Sequence, residues 1–395
     1  MQGGERRDAT TAALMGAALD ELLEQGQGDF AMESVARRAF FSVGAVYERW
    51  PDKESLLADV AALALPEVIG DLVDEAHTEQ MVSALFDEQG GRDAMVLLGE
   101  CLLAAQFLPG VRDPALAAWQ GLQDRLRASM GEGMAWYVGT LALGSALVEL
   151  MGVAAPSPAR GRQQVLTDAV RIEREQTVLP AAPAMAPLEA NLPHVPPPSR
   201  TDAVAQSLIG AAQLVLAESG AAGATTRDIA ATAGVSTGAL YRRYEGKSGL
   251  LADVLVTQLQ PDRYSWTWDL IRAFGQDAPY VAAGDVLADV LLRVSSDRAA
   301  QQVLLQIGIA ARNDPALRAQ VADRIRSAWD ARRDMAEHFI QVGVLRDDVA
   351  PDVVAWAFQA LPVGMRALLP LTDGPDPDQA RAGLRAVVAA LAARG

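Results

Sequence analysis

Ser236-Thr237-Gly238-Ala239-Leu240-Tyr241-Arg242-Arg243-Tyr244 has a counterpart 194 positions earlier, Ser42-Val43-Gly44-Ala45-Val46-Tyr47-Glu48-Arg49-Trp50. The register runs on without a gap through Lys53 and Lys247, Leu56-Leu57 and Leu250-Leu251, and Ala58-Asp59-Val60 and Ala252-Asp253-Val254. Upstream it pairs Leu22 with Leu216, Gly26 with Gly220 and Val35-Ala36 with Ile229-Ala230. Self-similarity of this length marks a duplicated module, not a short solenoid unit.

Each copy reads as three short helices. The first, about 11–25 and 202–219, has apolar residues at helical spacing and stops at a glycine. The second runs from near Ser34 or Thr226 to Phe40 or Gly234. The third begins at Ser42 or Ser236, whose hydroxyl is suited to capping the first free amides. A helix, a tight turn and a short capped helix form a helix-turn-helix, whose last helix enters the DNA major groove.

Ile229-Ala230-Ala231-Thr232-Ala233-Gly234-Val235-Ser236-Thr237-Gly238-Ala239-Leu240-Tyr241-Arg242-Arg243-Tyr244, followed by Lys247 and Leu250-Leu251, resembles the TetR-family DNA-binding head. The likeness covers about sixty residues in each half and is specific in the second. Regulators of that family are ordinarily homodimers, joined through their last two long helices in a four-helix bundle. The resemblance therefore implies an all-α chain of two TetR-like repeats folded as an intramolecular pseudo-dimer.

Composition agrees with that fold class. Of 395 residues, 50% are hydrophobic, and strand-like alternation is hard to find. The N-terminus leads into no signal-like apolar region, and no uninterrupted apolar run is expected to reach membrane length, so the chain is read as cytoplasmic and without a membrane role. Cys101 stands alone, which excludes a disulfide framework. The net charge of −16 argues against a bulk nucleic-acid coat but leaves room for a reader with basic residues on one small surface. The two copies differ here: residues 200–260 balance to zero, while residues 1–60 carry six basic against eleven acidic side chains, a net −5.

The duplication continues past the heads. Arg112-Asp113-Pro114-Ala115-Leu116 recurs as Asn313-Asp314-Pro315-Ala316-Leu317, and Ala135-Trp136 precedes Gly144 with the spacing that separates Ala355-Trp356 from Gly364. The apolar stripe Val165, Ala169, Ile172 recurs as Leu384, Val388, Leu391. The offset grows from 194 in the heads to about 220 at the end, so some twenty residues around 330–352 have no counterpart between Ala128 and Met134. Read against the family, this region walls the ligand cavity, and the first cavity should be smaller or absent. Residues 177–199 hold seven prolines, among them Pro196-Pro197-Pro198, and read as an extended linker. The expected domains are a degenerate first head (1–62), a shortened first helical regulatory and dimerisation domain (63–176), the linker (177–199), a second head (200–260) and a second helical ligand-binding domain (261–395).

In the second head, Tyr241 and Lys247 match family positions that grip phosphates, and Arg243 sits where a basic residue often joins them, with Arg242 beside it. Thr237, Gly238 and Ala239 fall in the first turn of the recognition helix, where side chains reach base edges. Thr226 and Arg227 open the preceding helix, and Arg227 matches a position that reaches guanine. The first head keeps Tyr47, Arg49 and Lys53, but Val43 and Gly44 offer no hydrogen bond to a base, and Glu33 stands where the second head has Arg227. Phe40 replaces the turn glycine, which implies strain of about 1 kcal/mol or a different turn.

For an apolar pocket the candidates are Trp266, Trp268, Phe274, Tyr280, Trp329, His338 and Phe339. His77, His194 and His338 share no metal spacing, and neither a glycine-rich phosphate loop nor a nucleophile elbow is found. No catalytic residue, metal or cofactor is expected. The sequence thus predicts a non-enzymatic, sequence-specific DNA-binding regulator. It would be a repressor released by a small hydrophobic or amphipathic effector, with one chain as the functional unit and an asymmetric double-stranded operator. Similar double-headed regulators point to a fatty or steroidal effector. The alternative is a ligand- or partner-binding protein whose heads no longer bind DNA.

Overall fold

The computed structural model describes residues 2–73, 78–86, 89–153, 159–175, 201–258, 266–274, 276 and 278–392. Trp266 and Trp268 lie in a described helix, but their side chains fall outside the described residues, as do Tyr264, His77, His194 and the proline-rich linker. Among the described residues the secondary structure is helical, apart from one isolated bridge between Leu345 and Ala392.

Two compact units divide at Arg125. The first contains α1 (Gln2–Asp29), α2 (Met32–Arg38), α3 (Val43–Tyr47) and α4 (Lys53–Asp59). A π-turn (Val60–Ala64) joins α4 to α5 (Leu65–Val73), and α6 (Thr78–Phe86) and α7 (Gln89–Ala104) follow. The boundary falls inside α8 (Pro109–Met130). The first unit is built on α1 packed against α7, with Leu14, Ala18 and Leu22 fully buried, each side chain of leucine size contributing about 1.5–3 kcal/mol.

The second unit holds α9 (Glu132–Leu150) and α10 (Ala159–Glu175), then the second copy of the heads, α11 (Ala203–Gly223), α12 (Thr226–Thr232) and α13 (Thr237–Tyr241). After these come α14 (Lys247–Gln258), α15 (Trp266–Ala273), α16 (Pro279–Ser296), α17 (Arg298–Ala310), α18 (Pro315–Gln341), α19 (Pro351–Leu368) and α20 (Pro377–Leu391). The extra residues of the second half are the last turns of α18 and the connection 342–350: α8 spans 22 residues and α18 spans 27.

Contact partition does not follow the sequence repeat. The helices α9 and α10, which close the first repeat, pack in the second unit against α19 and α20, which close the second. Val165 on α10 and Leu384 on α20 are both buried, on helices that touch. The crossing of α9 and α19 is made by glycine. A Cβ on Gly144 would lie 1.9 Å from the Ala360 carbonyl oxygen, and one on Gly364 would lie 2.0 Å from that of Thr140. Each glycine therefore meets the carbonyl four residues before the other, and only hydrogen side chains permit that approach. Nearby the Tyr137 hydroxyl donates to the Ala357 carbonyl at 3.0 Å, and Trp356 Nε1 donates to Ser145 Oγ at 3.0 Å. Buried Arg346, on the connection before α19, joins α10 to α20, donating to Asp168 at 2.7 Å and to the Ala390 carbonyl at 3.3 Å, and also to Asp348 beside it.

One expectation needs correction. Helix α9 is long and apolar enough to cross a membrane by length and composition, although no such segment was foreseen. Of its apolar window, 83% is buried among other helices, which is what a bundle's central helix requires.

Candidate nucleic-acid interface and effector cavity

The two heads share several local devices in one register, although Thr225 caps α12 with its side chain where Ala31 gives α2 no such cap. Ser42 Oγ and Ser236 Oγ each accept the amide three residues on, from Ala45 and Ala239, both at 3.2 Å. Such caps contribute about 1 kcal/mol each. Trp50 Nε1 donates to Asp59 at 2.8 Å, and the Tyr244 hydroxyl donates to Asp253 at 3.2 Å, which pins the end of each helix-turn-helix to the helix that follows. Gly26 and Gly220 break their helices at φ 74° and φ 66°, and one more turn follows each break.

That extra turn is where Lys53 and Lys247 are spent. Lys53 donates to the Gln27 carbonyl and Lys247 to the Ala221 carbonyl, and burial lowers the pKa of both ammonium groups. The amides of the same two residues are also held: Gln27 N donates to Glu100 at 2.6 Å, and Ala221 N donates to Gln306 at 2.8 Å. Arg49 and Arg243 likewise turn back, Arg49 onto Thr11 and the Ala45 carbonyl, Arg243 onto Asp202 at 3.0 Å and the Ala239 carbonyl. These four cations, expected at phosphates, are thus placed as braces that spend donors inside their own heads. Ala239, also expected to read bases, is buried on the inner side of α13, at 8% exposure.

The outward surface of the second head consists of other residues. Thr237 and Gly238 are exposed in the first turn of α13, and Arg242 is exposed at its end. Tyr241 is exposed as well, and its hydroxyl lies 3.2 Å from Thr226 Oγ1, which ties α13 to the start of α12. Arg227 is exposed one residue on. The structure therefore brings Thr226, Arg227, Thr237, Gly238, Tyr241 and Arg242 to one small basic and hydroxyl-bearing surface, with α13 as its centre.

The first head copies this shape with different chemistry. Phe40 adopts φ 59°, the same left-handed turn that Gly234 makes at φ 69°. The turn is thus conserved in shape and strained by about 1 kcal/mol, instead of rebuilt. Phe40 is 95% exposed, and Phe41, Val43, Gly44 and Tyr47 are exposed beside it. Glu33 and Glu48 occupy the positions of Arg227 and Arg242. The two carboxylates on this face repel phosphate, while the Tyr47 hydroxyl and the Arg37 guanidinium stay exposed beside them.

A cavity of about 30 Å³ lies in the second unit between α15, α16, α18, α19 and α20. Phe274 and Phe339, both foreseen, line it and meet edge to face with ring centroids 5.1 Å apart. The rest of its wall is wholly apolar and was not foreseen: Leu270, Leu287, Met335, Val354, Phe358 and Leu391 are among the lining residues. Aliphatic side chains on helices carry no signal that separates a pocket wall from packed core. Tyr280 sits behind Phe274 with its hydroxyl on the Val344 carbonyl at 3.0 Å, and Trp329 Nε1 donates to Asp352 at 3.2 Å, so these two serve packing. His338 is half-buried, with its ring 6.3 Å from that of Phe339.

Helix α18 connects cavity and head inside this unit. Met335, Ala336 and Phe339 near its end line the cavity. Asp314 caps its start, accepting the Ala316 and Leu317 amides at 3.0 Å, and also accepts a hydrogen bond from Ser248 on α14. The helix that begins at Lys247 follows the recognition helix by five residues.

Comparison with known proteins agrees with the geometry. The family of bacterial regulatory proteins described as the tetR family matches twice, over residues 14–60 and over residues 208–254, ranges separated by the same 194 positions. The DNA-binding transcriptional repressor TetR of Mycobacteroides abscessus is 33% identical to the chain over 132 residues. That stretch covers 32% of this chain and spans 63% of the relative's length. The protein therefore carries two tetR-family modules in tandem within one polypeptide, on an all-α framework.

Proposed function

We propose that the protein is a ligand-responsive DNA-binding transcriptional regulator, a repressor, acting as an intramolecular pseudo-dimer with unequal heads. The observation that carries this reading is the outward face of the second head, where Arg227, Thr237, Tyr241 and Arg242 surround the capped helix α13. The printed name of the M. abscessus relative favours the same class. The pseudo-dimer is supported by the reciprocal contacts of Gly144 with Ala360 and of Gly364 with Thr140, the pattern a two-fold interface makes: i on j and j on i. Covalent linkage makes such pairing independent of concentration.

In this reading Thr237 and Arg227 contact base edges, Tyr241 and Arg242 contact phosphates, and Lys247 and Arg243 hold the head in shape. The first head adds at most a weak contact, so the operator is asymmetric, with half-sites about 34–36 Å apart. The effector is apolar, to suit a wall that lacks polar groups. The cavity as it stands holds little more than a water-sized group, so an effector must repack Met335, Phe274 and Phe339. Helix α18, about 40 Å long, then carries that displacement to Asp314 and Ser248 beside the head. The effector shifts the equilibrium only by its difference in affinity between the two arrangements.

A second reading, a partner-binding protein whose heads are scaffold alone, is favoured by one observation, the acidic and apolar face of the first head. Fluorescence anisotropy on duplexes from the gene's own upstream region separates the two. Wild-type protein should bind one duplex; Arg242→Glu should weaken binding and lower the slope of log K against log salt by about one unit, and Arg227→Glu should weaken binding and relax discrimination at one base pair. Arg243→Glu is a poor probe because it also removes the brace to Asp202. Wild-type protein that binds none of these duplexes above a scrambled control would sink the regulator reading.

A further inference from the structure

Four of the eight large hydrophobic side chains exposed among the described residues sit together on the first head: Phe40, Phe41, Val43 and Tyr47. Soluble chains ordinarily scatter such residues singly, and a cluster at one tip marks a docking surface. Phe40 adds a second observation, because an aromatic is held there in a left-handed turn that suits glycine while remaining 95% exposed.

The charges beside the cluster define what fits it. Glu33 in the first turn of α2 and Glu48 at the end of α3 are both exposed. The 194-residue offset carries these positions to Arg227 and Arg242, both exposed on the second head. Arg37, exposed near the cluster, donates to Ser34 Oγ at 2.7 Å. One scaffold thus presents the same tip twice, with both flanking charges reversed.

When two copies of one scaffold meet face to face about a two-fold, position i of one faces position j of the other, and j faces i. That arrangement sets Glu33 against Arg242 and Glu48 against Arg227. Phe40 and Phe41 then cover exposed Tyr241 and the Gly234 turn, where nothing lies within 4 Å of an added Cβ. Duplex DNA fits the first tip poorly, since both carboxylates repel phosphate. We propose that the first head of one chain docks on the DNA-reading face of the second head of another copy, so that self-association and operator binding compete. Each chain carries one tip of each kind, so two chains offer two such contacts. The consequence for DNA rests on the function proposed above, whereas the docking itself is measured without DNA.

Sedimentation velocity of the full chain at low salt, over a range of micromolar concentrations, tests the docking. Wild-type protein should dimerise with rising concentration. The pair Glu33→Arg with Glu48→Arg should weaken association about tenfold or more, as should Arg227→Glu with Arg242→Glu. All four changes in one chain should restore it, an outcome that no folding defect mimics. Phe40→Gly with Phe41→Val, which installs the second head's own turn, should also weaken it. Adding the duplex should dissociate the wild-type dimer. A chain that stays monomeric throughout, or a dimer indifferent to the charge swaps, overturns the proposal. So does a Phe40→Gly, Phe41→Val variant that loses DNA affinity with association unchanged, since the tip would then be a DNA contact. Swap-restored dimers that bind no duplex uphold the docking and count against the DNA reading instead.

Discussion

Gly144→Ala is the most informative single change in the helical bundle. Its new Cβ would lie 1.9 Å from the Ala360 carbonyl oxygen and 2.7 Å from the Gly364 amide nitrogen. Both obstacles are backbone, so neither yields by a rotamer change, and real Cβ contacts stay beyond about 3 Å. Helices α9 and α19 must therefore separate by roughly 1 Å at their crossing, loosening Tyr137 on Ala357 and Trp356 on Ser145. Overpacking of side chains costs about 1–3 kcal/mol, and a backbone collision belongs at or above the top of that range. Gly364→Ala should cost a similar amount, because it meets the Thr140 carbonyl at 2.0 Å. The double variant should cost far less than the sum, since helices already pushed apart by one methyl leave room for the second. Urea unfolding followed by circular dichroism measures all three, with the slope of the transition checked for constancy. Either single variant unfolding within about 0.5 kcal/mol of wild type would refute the crossing, as would strict additivity of the pair.

Three further outcomes follow from groups described above. Burial lifts the Cys101 thiol to about 12, so it should resist alkylation at neutral pH in the folded chain and react once urea unfolds the first unit; rapid labelling without denaturant would contradict its place in α7. Desolvation raises the Glu173 carboxyl above its ordinary 4.5, although the Gly133 and Met134 amides donate to it. The folded state then holds this proton to a higher pH than the unfolded chain, so its stability contribution is present below pH 4.5 and is lost as pH rises through the folded value. Glu173→Gln should flatten that slope in a series of unfolding curves; an unchanged slope would remove Glu173 as its source. Gly234→Ala should cost about 1 kcal/mol through backbone strain alone, since its site at φ 69° has no neighbour within 4 Å, and a stabilised variant would contradict the turn.

Much of the heads was legible because duplication printed several devices twice. The serine caps and the glycine breaks at Gly26 and Gly220 followed from two copies in one register, whereas α1 runs from Gln2 to Asp29, well beyond the expected 11–25. The far bundle was legible for the same reason: Trp356 and Gly364 repeat the spacing of Trp136 and Gly144, and the glycines proved to be the crossing itself. What the sequence hid was direction. Lys247, Arg243, Lys53 and Arg49 carry the charge a phosphate grip needs, and nothing in a linear pattern says that a carbonyl or carboxylate already holds them. The cavity wall was hidden for a related reason: Leu270, Met335 and Val388 obey the same apolar periodicity whether they face a void or a neighbour. The unit boundary inside α8 was hidden because packing, not chain order, decides which helices share a core.

The packing of α9 against α19 and α20 has a consequence during synthesis. Helix α9 ends at Leu150, and the surfaces that shelter it reach to Leu391. At ribosomal rates of about 5–20 residues per second, roughly ten to fifty seconds separate the emergence of the two. For that interval the nascent chain carries a nineteen-residue helix, apolar between Glu132 and Glu149, with its final cover not yet made. Packing α9 against helices made so much later imposes a wait, during which chaperones or a non-polar surface compete for the waiting helix.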